Sequence, residues 1–416
     1  MRSTKAVVVM SKAGEGVPRQ RHVVILGGGI QGTSAAYQLA KRGCGCTIVE
    51  LEGIGSAASG KAGGFLARDW GDGPTSALHT ESFRMHKELA EELGLETFRE
   101  IDTLSVASGR GQKGLGMRSW LDGDIAQAKL LDSNTAQVTP LEITTKLAEA
   151  AQEKGCEVVL GRAKGIKFSE VGEDLKAEAV RVELADGKGE ELIRCTDVLV
   201  AMGVWSTLVA PWFGLPDESW PITGIKSTHV IWRNSGGKRE AVVREPAALF
   251  CSQEQNGTHL ELYPRSNGDL YACGIGGSDY VEDRNRLAEG GDCGTPSSVR
   301  ADMSRVAAAT ESAGKLSSLL KEAPEHVGAC MRPCPPDALP FMGKIDGCCN
   351  AFLSSGHNCW GICWAPVCGL LMAELILDGQ TSSIDLRPFS PSRFLPRAQR
   401  GKRGRKKVDL DVGEQW

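Results

Sequence analysis

Residues 328–343 read GACMRPCPPDALPFMG and place one arginine, Arg332, between Cys330 and Cys334. Five more cysteines follow by Cys368, so half of the fourteen in the chain fall within 39 residues. A zinc or iron–sulfur site needs closed ligand pairs, such as C-x-x-C used twice. Here C-x-x-x-C occurs at 330/334 and 359/363, with an adjacent pair at 348/349, and this spacing predicts no metal. Most of these thiols are expected to be small buried hydrophobes. The arginine has other chemistry: its planar fork pairs bidentately with a carboxylate, whether a ligand's or a structural partner's.

A second constellation opens the chain at RHVVILGGGIQGTSAAYQLAKRGCGCTIVELE. Val23–Leu26 is a continuous apolar run, the pattern of a strand buried on both faces. Gly27, Gly29 and Gly32 then form G-x-G-x-x-G at the start of a helix predicted over Ile30–Lys41, which includes Gln31. A second strand ends at Glu50, 18 residues beyond Gly32. Each part suits a dinucleotide. Gly27 allows the turn, Gly29 lets the backbone approach a pyrophosphate, and Gly32 lets the helix pack on the strand. The helix N-terminus offers free N–H groups to the phosphates, and Glu50 stands where an acid would bind ribose hydroxyls.

The next stretch, GIGSAASGKAGGFLARDW, is long, glycine-rich and supplied with donors at Ser56, Ser59 and Lys61. A nicotinamide enzyme usually continues straight into its next helix; this chain is expected to run along a large planar ligand. Further on, Leu78–Leu93 and Leu141–Lys154 have helical spacing, and Asp197–Ser206 reads as a buried strand and glycine turn. From Pro221 the pattern becomes antiparallel, with a hairpin around Asn267-Gly268 predicted to use a type I′ turn. His259, Tyr263 and Arg265 on that hairpin are candidate substrate contacts. Asn350–Gly379 reads as strand, glycine loop and long helix. His79 and His86 are expected to be ordinary surface or half-buried histidines.

Composition bounds the rest. The chain has 416 residues, 41% apolar and 24% charged, with a net charge of −4. That is ordinary for a globular protein and gives no pull toward nucleic acid. No stretch reaches the length of a membrane span, and the first 21 residues lack an apolar leader region. A cytoplasmic location is expected; the alternative is a mitochondrion or plastid, reached through an N-terminal extension bearing Arg2, Lys5 and Lys12.

Together these motifs resemble the D-amino-acid oxidase superfamily, the group of glycine and sarcosine oxidases. The stretches Ser59-Gly60-Lys61-Ala62-Gly63-Gly64 and SGHNCWGI are most similar to a fungal and plant branch of FAD oxidoreductases. The resemblance covers most of residues 21–395. It implies an α/β fold: a Rossmann-like FAD-binding domain in discontinuous segments, plus an α+β substrate domain with a largely antiparallel sheet. The expected division is a disordered extension at 1–20, FAD domain at 21–220 with an inserted helical segment near 80–130, substrate domain at 221–325, FAD domain again at 326–395, and a basic disordered tail at 396–416.

For the site, the resemblance implies FAD contacts from the 59–64 loop, from Ala163 and Lys164, from Gly203 and Trp205, and from Gly356, Asn358, Gly361 and Ile362. Arg332 matches the position that holds a substrate carboxylate, and His357 lies in the flavin loop. Cys330 falls where sarcosine oxidases bond covalently to the flavin; a plain core cysteine is the other reading. The implied activity is oxidation of an amine or amino-acid-like small molecule by hydride transfer to flavin N5, with oxygen or another electron acceptor. The rival is a flavin-binding protein with an interaction or trafficking role.

Overall fold

The computed structural model describes residues 21–110, 117–237 and 239–395. The expected extension at 1–20 and basic tail at 396–416 lie outside the described residues.

The first sheet has eight strands, and its centre is the predicted unit. His22–Leu26 lies between two parallel neighbours, Gly45–Glu50 and Asp197–Val200. Glu157–Val171 and Ala351–Ser355 extend the parallel order on either side. Val23, Val24, Ile25 and Leu26 are all buried, as a strand covered on both faces requires. Ile30–Lys41, Ser76–Leu93, Pro140–Glu153 and Gly361–Asp378 cover one face as helices. This is the Rossmann-like layer read from the sequence.

The second sheet is largely antiparallel, as expected, but its membership differs. The helical segment expected near 80–130 stops at Leu93, where Gly94 takes the left-handed conformation at φ 60°. Beyond it, Asp102–Ser108 and Ile125–Asp132 are strands. Asp102–Ser108 pairs in parallel with Ala247–Cys251, so this segment belongs with the substrate sheet. At the other end, His326–Cys334 pairs along Thr223–Trp232. Cys330 and Arg332 therefore stand on the second sheet, not within a returning cofactor domain. The hairpin is real, but Asn267 keeps negative φ and Gly268 alone is left-handed at 86°. Arg265 N–H bonds Asp269 O and Gly268 N–H bonds Arg265 O, a three-residue loop with a glycine bulge in place of type I′.

Asn358–Asp378 spans 21 residues and is apolar enough by length and composition to cross a membrane, which the sequence reading did not anticipate. Here it is a core helix. Ser34 Oγ donates to Ala365 O at 2.8 Å, and a Cβ on Gly369 would lie 2.3 Å from Ser34 Oγ. Pro366 leaves Ile362 O without its intrahelical N–H partner. The His86 imidazole supplies that partner, with Nε2 at 3.0 Å from Ile362 O and 3.1 Å from Cys363 O. His79 and His86 are fully buried, not surface or half-buried as expected; His86 is a structural donor, neutral because burial depresses its pKa to about 4.

Candidate active site

Strand alternation builds one wall of a large cavity. Arg332 registers with Ile225, Cys330 with Ser227, Ile231 with Tyr271, Glu261 with Cys273, and Phe250 with Glu261. Because side chains alternate across a sheet, all these residues share one face. That face, except Ile231, lines a cavity of about 1850 Å³. The opposite wall is the Rossmann-like layer with its glycine loops.

At the Rossmann end, the helix Ile30–Lys41 begins at Gly29 with no side-chain cap and no acid in its first turn. Ile30 N–H donates to Ser59 Oγ at 2.9 Å; the next N–H groups of that turn have no intrahelical acceptor. The glycines leave no room for side chains. A Cβ on Gly27 would lie 2.5 Å from Ala201 O, and one on Gly32 would lie 2.0 Å from Gly27 O. Glu50 Oε2 accepts from Gly28 N–H at 2.7 Å, fixing the acid at the end of its strand. At the far end of the cavity, Lys164 Nζ pairs with Glu289 at 2.9 Å.

The C-terminal loop forms the floor of the middle. Gly356 has φ 77° and Asn358 is a non-glycine residue at φ 48°, its Oδ1 accepting from Cys334 Sγ at 2.8 Å. The long helix starts at Gly361 with no side-chain cap, so Gly361 and Ile362 stand in its first turn. Around this floor, Gln31 Oε1, His79 Nε2, Ser354 Oγ, His357 Nε2 and Trp364 Nε1 are buried without a hydrogen-bond partner, and all five residues line the cavity. Unsatisfied buried polar atoms are rare. Their convergence on one space, with two uncapped helix starts and a glycine cradle, fits a long, anionic, polar-edged ligand such as FAD.

Most expected cofactor positions line the cavity: Gly27, Gly29, Ile30, Gln31, Glu50, Ser59, Ala62, Gly63, Gly64, Ala163, Lys164, Gly203, Trp205, Cys330, Gly356, Asn358, Gly361 and Ile362. Three do not. Gly32 packs under the turn, Gly60 has the Gly55 carbonyl 2.2 Å from where its Cβ would be, and Lys61 Nζ donates to Pro296 O at 2.9 Å. Lys61 thus ties the loop to the 290–298 segment, and Trp205 Nε1 does the same by donating to Cys293 O at 3.0 Å. Of the hairpin candidates, His259 and Tyr263 line the cavity while Arg265 lies over the Tyr271 ring at 5.8 Å.

Arg332 and His357, the carboxylate-binding position and the flavin-loop histidine, both line the cavity. Burial alone would lower the Arg332 pKa; the Cys359, Cys334, Glu261 and Cys273 side chains outweigh it, and the guanidinium stays charged. No ion pair among the described residues engages Arg332. His357 is neutral, with burial holding its pKa down to about 3. Burial also pushes the Cys330 thiol up, against thiolate formation, although Arg332 and Lys61 oppose this.

Phe65, Trp70, Phe250 and Tyr271 were not read from the sequence; with the expected Tyr263 they form an aromatic box, in which Phe65–Tyr263 stack at 5.3 Å and Trp70–Phe250 approach to 5.1 Å. Burial, with neighbouring acids, keeps the Tyr263 and Tyr271 phenols protonated. Glu261 sits at the box, accepting from Tyr263 Oη at 2.5 Å. The signal for Glu261 existed: it lies two residues from both His259 and Tyr263, hence on their face. Trp70 and Phe250 gave none, since long-range pairing puts them here.

This fold and site define an FAD-dependent oxidoreductase. The chain belongs to the DAO family of FAD dependent oxidoreductases, whose model matches residues 22–375. A relative in Schizosaccharomyces pombe, whose name says oxidoreductase and specifies no substrate, is 26% identical over 407 residues, covering 90% of this chain and 99% of that protein. Glycine oxidase of Bacillus licheniformis is 24% identical, covering 90% and 98%. Among solved structures, glycine oxidase from Geobacillus kaustophilus has a TM-score of 0.70 at 23% identity, covering 90% of this chain and 100% of that one. L-amino acid deaminase from Proteus vulgaris has a TM-score of 0.72 at 17% identity, covering 92% and 100%. The chain is thus close to amino-acid and amine oxidases, and FAD is its cofactor.

Proposed function

We propose that the protein oxidises a small amine or amino-acid-like substrate, with Arg332 as the carboxylate anchor. The observation that carries this is a charged guanidinium, engaged by no ion pair among the described residues, on the sheet face opposite the cofactor cradle. Bidentate pairing there would fix the substrate's carboxylate and orient its α-carbon toward the cofactor. When bound, FAD accepts a hydride at N5. The residues of this chain do the positioning. The aromatic box would exclude water, the neutral His357 and the first turn at Gly361 would offer donors to the cofactor, and the imine product would leave and hydrolyse. Oxygen or another acceptor completes the cycle. We place the protein in the cytoplasm, an assignment that cell fractionation tests. The activity is tested by mixing FAD-loaded protein anaerobically with a panel of amino and N-methyl amino acids. Bleaching of the flavin absorbance is expected with at least one; bleaching by none refutes the proposal.

A further inference from the structure

Glu261 is a carboxylate on the cavity wall. Both of its hydrogen bonds, from Tyr263 Oη at 2.5 Å and Cys273 Sγ at 3.4 Å, fall on Oε2. Neither donor is charged, and no ion pair among the described residues includes Glu261. Glu261 is half-buried, and a carboxylate partly withdrawn from water favours a cationic partner. Tyr263 donates to Glu261, Phe250 is its register partner on the next strand, and Phe65 and Tyr271 stack on Tyr263; the faces of such rings attract cations. This is a subsite of negative potential in an otherwise apolar box.

Strand register puts Glu261 on the same face as Arg332. They are not paired with each other, yet Glu261 is near enough to help keep Arg332 charged. The cavity therefore holds one guanidinium and one carboxylate that no ion pair among the described residues uses. Resting on the reading of Arg332 above, we infer that Glu261 is a specificity-determining residue that binds the substrate's ammonium group, so that the site selects zwitterions carrying one carboxylate and one cationic nitrogen and rejects dicarboxylates. A second carboxylate would be placed against Glu261 inside aromatic walls, where like charges repel with little screening.

Three probes share a skeleton and lack an oxidisable amine-bearing C–H bond: isobutyrate, 2-aminoisobutyrate and 2,2-dimethylmalonate. Each is titrated into oxidised FAD-loaded protein, and binding is read from the shift in flavin absorbance. In the unaltered protein 2-aminoisobutyrate is expected to bind about tenfold or more tighter than isobutyrate, with dimethylmalonate weakest. Glu261→Gln keeps the size and the Tyr263 contact, and should bring the first two affinities within about twofold while tightening dimethylmalonate. Glu261→Asp should retain the preference for the ammonium, guarding against misfolding as the cause. A Glu261→Gln protein that keeps the tenfold preference, or that loses all three probes equally while still holding FAD, overturns the inference. The Arg332 reading fails separately: there, Arg332→Lys leaves isobutyrate binding unchanged. If no probe binds the unaltered protein, both readings fall.

Discussion

The His86–Pro366 arrangement makes a quantitative prediction that reaches from the core to the cofactor. Pro366 removes the N–H that would close the turn onto Ile362 O, and His86 Nε2 stands in for it at 3.0 Å. His86→Leu holds the volume roughly constant but leaves a buried carbonyl without a donor, costing about 1–3 kcal/mol. The loss falls in the helix's first turns, where Gly361 and Ile362 line the cavity, so FAD affinity should fall as well. Pro366→Ala restores a backbone N–H at the position that can bond Ile362 O. The double variant should therefore recover about 1 kcal/mol or more of the loss, a coupling that a double-mutant cycle isolates. The assay is urea unfolding of FAD-saturated protein, with FAD affinity from fluorescence quenching. Strict additivity of the two substitutions would refute the reasoning, because it would mean His86 does nothing for that carbonyl.

Further predictions concern the cradle, the buried histidines and Cys330. Gly32→Ala places a Cβ 2.0 Å from Gly27 O and should destabilise by about 1–3 kcal/mol, with loss of FAD on gel filtration. His86 and His357 titrate in the fold at about 4 and about 3 against an ordinary 6.5. The unfolded chain takes up protons first, so stability is full above pH 6.5 and falls as pH drops toward 4. For His86 this amounts to about 3 kcal/mol by pH 4, and His86→Leu should flatten the decline between those limits in thermal melts. Burial keeps the Cys330 thiol protonated, so acid precipitation of the holoprotein should release yellow colour to the supernatant; colour in the pellet would establish a covalent link.

What the sequence showed, it showed through local geometry. The turn from Gly27 to Gly32 and the acid at Glu50 are dictated by neighbours within one strand–helix–strand unit, and each stands where its spacing implies. The loop through Asn358 and Gly361 was legible for the same reason. Pairing between distant strands was not. Nothing in residues 102–108 announces a parallel partner at 247–251, so the second sheet was drawn too small and Phe250 was missed as a wall residue. Lys61 shows the limit of composition as a guide: a donor in a glycine-rich loop looked like a cofactor contact, and its side chain instead reaches the backbone of Pro296. Pro366 within the C-terminal helix carried a readable signal, a missing N–H, but its partner His86 lies 280 residues away.

The most direct test of the account is the rate of anaerobic flavin reduction by matched substrates, an amino acid and the amine that lacks its carboxylate, before and after Arg332→Met. With Arg332 present the amino acid should reduce the flavin at least about a hundredfold more efficiently. Without it the two should become nearly equal, with FAD still bound. A preference for the carboxylate that survives the loss of Arg332 would contradict the account.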